Sequence, residues 1–176
     1  MRLPVLVLAA FASACLPAPE PEPRRTQPLA GRDASSTLLL GHNRERAAVG
    51  VPPLVWDIGL AAAAAGHARL LAASGILRHS PRRDRPGQGE NLWMGTRGAF
   101  TAAQMLGSWV AEKRVFRPGI FPNVSRTGYW ADAGHYSQMI WPTTTRLGCA
   151  IATGPRVDAL VCRYSPAGNI DGRRVP

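Results

Sequence analysis

The chain has 176 residues, 45% of them hydrophobic, which suits one domain with a real core plus a tail. Its formal charge of +10 is carried by arginine, 20 residues against the single Lys113. The arginines are scattered apart from Arg82-Arg83-Asp84-Arg85 and are not interleaved with aromatics. This argues against nucleic-acid binding, and leaves genome base composition or loose contact with an anionic envelope as explanations.

Residues 1–14 read as a signal peptide. Arg2 is a short positive region, Leu3 to Ala12 is an apolar run too short to span a bilayer, and Ala12-Ser13-Ala14 supplies small residues for cleavage. Cys15 follows directly, as in a bacterial lipobox, although leucine is usual where Ala12 stands. Two expectations stand: lipidation of Cys15 on a periplasm-facing membrane, or simple cleavage and secretion. Residues 15–34 are rich in proline without an apolar period and read as an extended tether. The folded domain is expected over residues 35–176.

Ser35-Ser36-Thr37 offers N-caps for a helix from Leu38 to about Ala48, and Val51-Pro52-Pro53 prevents its continuation. Asp57 caps a second, alanine-rich helix from Ile58 to about Ser74, stopped by Gly75. His42 and His67 lie on these helices and read as partly exposed, without a role. Glu90 to Gly95 reads as a strand, with Glu90, Leu92 and Met94 on one side and Asn91 and Trp93 on the other. Thr101 caps a third helix, Ala102 to about Phe116. Met105, Trp109, Glu112 and Phe116 share one face, so Glu112 sits in an apolar stripe, either at its edge or with a partner.

Residues 117–132 have no period and carry Phe121, Tyr129 and Trp130; long ordered loops are often functional. Gly134 to Trp141 (GHYSQMIW) is too polar for plain core and too apolar for a plain loop. Beyond it, a hairpin is expected with Gly154-Pro155 in the turn. The register that pairs Gly154 with Val157 also sets Cys149 opposite Cys162, within disulfide range across an antiparallel ladder. A zinc or redox pair is the alternative, though neither cysteine belongs to a local CxxC motif.

GHYSQMIWPTTT (Gly134 to Thr145), LVCRYSPAGNI (Leu160 to Ile170), GENLW (Gly89 to Trp93), HNRERAAVGVPPLVWD (His42 to Asp57) and LRHS (Leu77 to Ser80) together resemble the CAP superfamily. Its members include cysteine-rich secretory proteins, insect venom antigens and plant pathogenesis-related proteins. The resemblance implies an α+β fold, a three-layer α-β-α sandwich with a central antiparallel sheet and a cleft. It places the family's tetrad of two histidines and two glutamates on His79, Glu90, Glu112 and His135.

Zinc or another divalent metal would then be held by His79 and His135, with Glu90 and Glu112 as further ligands or candidate general bases. The resemblance also implies binding of an apolar ligand such as lipid or sterol, for which Phe121, Tyr129 and Trp130 are the candidate loop residues. A metal-dependent, protease-like hydrolase using the same tetrad is the alternative reading. Relatives often carry several disulfides, whereas Cys149 and Cys162 are the only cysteines in the domain.

Overall fold

The computed structural model describes residues 30–176; the expected signal segment, Cys15 and most of the expected tether lie outside the described residues. Four α-helices are present: α1 (Ala30–Ala48), α2 (Ile58–Ser74), α3 (Ala102–Ala111) and α4 (Gly134–Met139). The strands are β1 (Val55–Trp56), β2 (Gly89–Thr96), β3 (Gly119–Ile120), β4 (Arg146–Thr153), β5 (Val157–Ser165) and β6 (Arg174–Val175). The main sheet has the order β1-β4-β5-β2, and β3 pairs with β6 in a separate ribbon. Its three longer strands are antiparallel, while the two-residue β1 adds in parallel to β4.

Local chemistry explains the element ends. Asp57 accepts from the Leu60 amide at 2.9 Å at the start of α2. Gly75 takes the left-handed conformation at its end, φ 66°, and returns its N–H to the Leu71 carbonyl. Helix α1 starts at Ala30, earlier than expected, because no proline lies between there and Ala48 and the serines at 35 and 36 ride inside the helix. Helix α3 starts with a capping box between Thr101 and Gln104 but stops at Ala111, short of Phe116. The chain tightens there into a 3-10 turn, Glu112–Arg114, and the amides of Val115 and Phe116 both donate to the Glu112 carbonyl.

The hairpin register is the expected one. Cys149 pairs with Cys162 across β4 and β5, their Cα atoms 4.1 Å apart and their sulfurs bonded at 2.00 Å. The Gly154 amide donates to the Val157 carbonyl at 2.8 Å.

Strand alternation divides the core in two. On one face Leu147, Cys149, Leu160, Cys162 and Tyr164 pack with Leu38 of α1, Met105 and Trp109 of α3, and Met139 of α4. On the other, Leu92, Ala159 and Val161 pack with Ala64, Ala68, Leu71 and Ala72 of α2. This second interface is thin. A Cβ at Gly148 would lie 2.2 Å from the Ala61 nitrogen, and one at Gly154 would lie 1.9 Å from the Ala72 carbonyl oxygen. Alanine on the helix and glycine on the strand let the two backbones approach. The layers are α2, then the sheet, then α1 with α3 and α4: an α-β-α sandwich.

Candidate functional site: two histidine–glutamate pairs

Strand β2 brings Glu90 out on the α2 side of the sheet, opposite Arg163 of β5. Its side chain is fully buried. One oxygen accepts from His79 Nδ1 at 2.8 Å and from the Ser80 amide at 3.0 Å. The other accepts from the Ser80 hydroxyl at 2.9 Å and lies 3.0 Å from Arg163 Nε. That last contact is an ion pair without an aligned hydrogen bond, so its strength is Coulombic. Arg85 Nε at 3.7 Å adds a second guanidinium, and His67 Nε2, bonded to the Arg78 carbonyl at 2.9 Å, lies 4.0 Å away at the edge of the cage. Burial pushes the Glu90 carboxyl up, but the His79 bond, Arg163 and the two Ser80 donors together hold it below the ordinary glutamate value.

The second pair comes from elements that pack on the other face of the sheet and borders the same edge strand, β2. Glu112, in the turn after α3, spans the gap to α4. One oxygen accepts from His135 Nδ1 at 2.5 Å. The other accepts from the backbone amides of His135 and Tyr136, at 2.9 and 3.0 Å. Glu112 therefore serves the start of α4, which has no side-chain cap of its own. The His135 ring stacks on Trp109, centroids 5.7 Å apart and planes 15° apart. Trp109 Nε1 donates to the Leu92 carbonyl at 3.2 Å, which fixes the ring.

A buried polar chain supports His135 from behind. Asn91, on the opposite face of β2 from Glu90, donates to the His135 carbonyl and to the Tyr164 hydroxyl, both at 3.0 Å. Tyr164 meets His42 Nε2 at 2.8 Å, and His42 Nδ1 donates to the Leu38 carbonyl at 2.7 Å. His42 is thus wholly buried, not partly exposed as its helical position suggested. Burial is the main reason its pKa falls to about 4; Arg46 adds to the fall and the Leu38 bond opposes it. The ring is neutral in the fold.

Arg46 is buried as well and clamps the chain beyond α4. It donates to the carbonyls of Pro52 (2.6 Å), Met139 (3.0 Å), Trp141 (2.9 Å) and Thr144 (2.9 Å). Burial lowers its pKa to about 10, so the guanidinium stays charged. Within the GHYSQMIW stretch, Gln138 accepts from the Gly168 amide at 2.9 Å, and Ser137 donates to Asn169 at 2.6 Å. Among the described residues, neither the Ser80 nor the Ser137 hydroxyl is hydrogen-bonded to a histidine. Sequence reasoning missed His42, Arg46 and Asn91 because their partners lie far along the chain. The one available signal was a cation and an imidazole four residues apart on an otherwise amphipathic helix.

The expected ligand loop divides. Phe121 is buried, edge-on to Trp130 and Trp141 at 5.3 and 6.0 Å. Tyr129 and Trp130 are exposed, 63% and 42%. A separate groove of about 360 Å³ runs between α1 and α3, lined by Leu40, Gly41, Leu106 and Val110 among others.

Each histidine of the two pairs commits Nδ1 to a carboxylate. Neither Nε2 has a hydrogen-bond partner among the described residues. A carboxylate behind a histidine is the arrangement that orients a metal-binding imidazole. Yet among the described residues no three His, Cys, Asp or Glu side chains are grouped so as to hold a metal ion. The donor chemistry fits a cation held by imidazole and water, and does not fit a protein-built three-ligand catalytic centre.

A three-layer sandwich carrying two histidine–glutamate pairs and a hairpin disulfide defines a class of secretory-type domain. The model of the cysteine-rich secretory protein family, CAP, matches residues 39–164, and the chain belongs to this family. Pathogenesis-related protein 1B of Nicotiana tabacum is 38% identical over 143 residues, covering 81% of this chain and 80% of that protein. A PR-1 type protein of Sambucus nigra is 35% identical, covering 76% of each. Among solved structures, NaASP2 with Zn2+ superposes with a TM-score of 0.71 over 86% of this chain and 87% of that one, at 24% identity. That likeness establishes the fold.

Proposed function

We propose that this chain is an exported CAP-domain binding module, in which His79 and His135 present imidazole nitrogens to a divalent cation such as zinc. The observation that carries the reading is the shared Nδ1-to-carboxylate arrangement of the two pairs, which leaves both Nε2 atoms without hydrogen-bond partners among the described residues. The exposed rings of Tyr129 and Trp130 support a second capacity, for an apolar or envelope ligand. Anchorage through lipid on Cys15, or secretion after simple cleavage, belongs to the same proposal.

Binding is preferred to metal-dependent hydrolysis because a general base needs a free lone pair of its own aimed at the attacking water. Three of the roughly four acceptor positions of each carboxylate already take protein donors, and Glu90 is held below the usual carboxylate range. Zinc titration by calorimetry tests the reading. A single class of site in the wild type, absent from a folded His79→Ala/His135→Ala variant, is the expected outcome. Equal binding by both proteins, or none by either, overturns it.

A further inference from the structure

Helix α2 has two apolar faces, and the sheet covers only one. Leu60, Ala64, Ala68, Leu71 and Ala72 are buried against the strands. The outer face carries Ile58, Ala62, Ala63, Leu70 and Ala73, all exposed, with Ile58 at 84% and Leu70 at 67%. A helix on the surface of a domain ordinarily turns charge outward. Here Arg69 is the only fixed charge in 17 residues. Beyond Gly75 the apolar surface continues through Ile76 and Leu77, 59% and 52% exposed.

Around this surface the charge has one sign. Arg69, Arg78 and Arg156 are exposed. An Nη of Arg156 lies 3.9 Å from a Cβ built at Gly75, which places it at the helix end. Among the described residues, no carboxylate pairs with any of the three. From Ile58 to Arg83 the chain has four arginines and no Asp or Glu. The acids that bound this stretch are engaged: Asp57 caps α2 and lies 3.1 Å from Arg146, and Asp84 lies 3.7 Å from Arg83.

We propose that the outer face of α2, together with Ile76 and Leu77, docks on an anionic lipid bilayer. Aliphatic side chains enter the headgroup boundary while an arginine rim meets acidic headgroups, the combination used by helices that lie in a membrane interface. Charge argues against a second copy as the occupant, since two such faces would set unpaired arginines against each other. The proposal needs neither imidazole Nε2, so it stands or falls apart from the zinc titration.

Vesicle sedimentation of the full chain tests it, using phosphatidylcholine with and without phosphatidylglycerol. Retention is expected on the anionic vesicles alone, and should weaken as salt rises. The Leu70→Gln/Ile76→Gln/Leu77→Gln variant should lose about tenfold or more in binding, and Arg69→Gln/Arg156→Gln should lose most of the anionic preference. All five side chains are exposed, so circular dichroism should be unchanged. Residues 1–29 are common to every variant, so a local probe isolates the helix. A tryptophan introduced at Leu70 should be quenched by brominated lipid. One at Leu40, 68% exposed on α1 across the sheet, should not. Wild-type binding by both variants, equal quenching at the two positions, or a vesicle-independent dimer that covers Leu70 would each overturn the proposal.

Discussion

The two histidine–glutamate pairs use the same side chains but are built differently. Glu90 is held by side chains: His79, the Ser80 hydroxyl and Arg163, with only one backbone amide. Glu112 is held mainly by backbone, since two of its three donors are amides at the start of α4. The histidines differ in the opposite sense. His79 is 55% exposed and His135 34%, with its ring packed on Trp109. One pair thus joins a deeply fixed carboxylate to a loose imidazole; the other joins a more accessible carboxylate to a fixed ring. Fixing a charge in a buried site demands countercharge, while capping the start of a helix demands only acceptors.

The largest expected effect separates the two carboxylates. Glu90→Ala leaves Arg163, 4% exposed in its side chain, without its partner. A buried charge left alone costs about 3–5 kcal/mol. Glu112→Gln retains one acceptor for the helix amides and should cost about 1–3 kcal/mol. Denaturant titration of both variants measures the difference, and equal losses would remove the distinction drawn between cage and cap.

Acid should probe the support of His135 next. His42 titrates near 4 in the fold and near 6.5 when unfolded, so the unfolded chain binds the proton first. Its contribution is fully present above the unfolded value and is lost as pH falls from about 6.5 toward 4, by a few kcal/mol at most. Loss from Glu90 begins lower, since its folded carboxyl is depressed and stability falls only as pH drops through the carboxylate range. Stability measured against pH in wild type and His42→Gln should differ in slope mainly between these limits. Parallel curves would show that the buried imidazole does not contribute.

The smallest effect is expected for His79→Ala, about 1 kcal/mol, because the ring is half exposed and Ser80, Arg85 and Arg163 still surround Glu90 once that one hydrogen bond is gone. A loss by thermal melting as large as that of Glu90→Ala would mean that the imidazole, rather than the arginines, carries the cage.

Local signals made the second helix, the edge strand and the hairpin register legible. Asp57, Gly75 and the Gly154–Val157 closure act within a few residues of themselves. The alternation along Glu90 to Gly95 also foretold that Glu90 and Asn91 face opposite sides, which is why one meets His79 and the other the His135 backbone. The composition of the tetrad was legible only through family likeness, since its members lie 11, 22 and 23 residues apart in sequence. Their division into two pairs was not legible, because it depends on which face of the sheet each element covers. Arg46 and His42 were hidden for the same reason: their polar partners include the loop after α4 and a strand, each more than 90 residues away. The early end of α3 reflects the tightened turn at Glu112, which propensity over the Ala102–Phe116 run does not record.

Arg46 also gives the molecule a mechanical direction. Helix α1 is the first described element and follows the whole amino-terminal segment. Its guanidinium grips four carbonyls, three of them in the stretch that closes α4 behind His135. A pull applied at the amino end is met within α1 first by the His42–Tyr164 bond to β5 and then, four residues on, by that grip. Both holds lie beside His135, Tyr164 through Asn91 and Arg46 through the chain after α4, so tension at the amino end would be borne there.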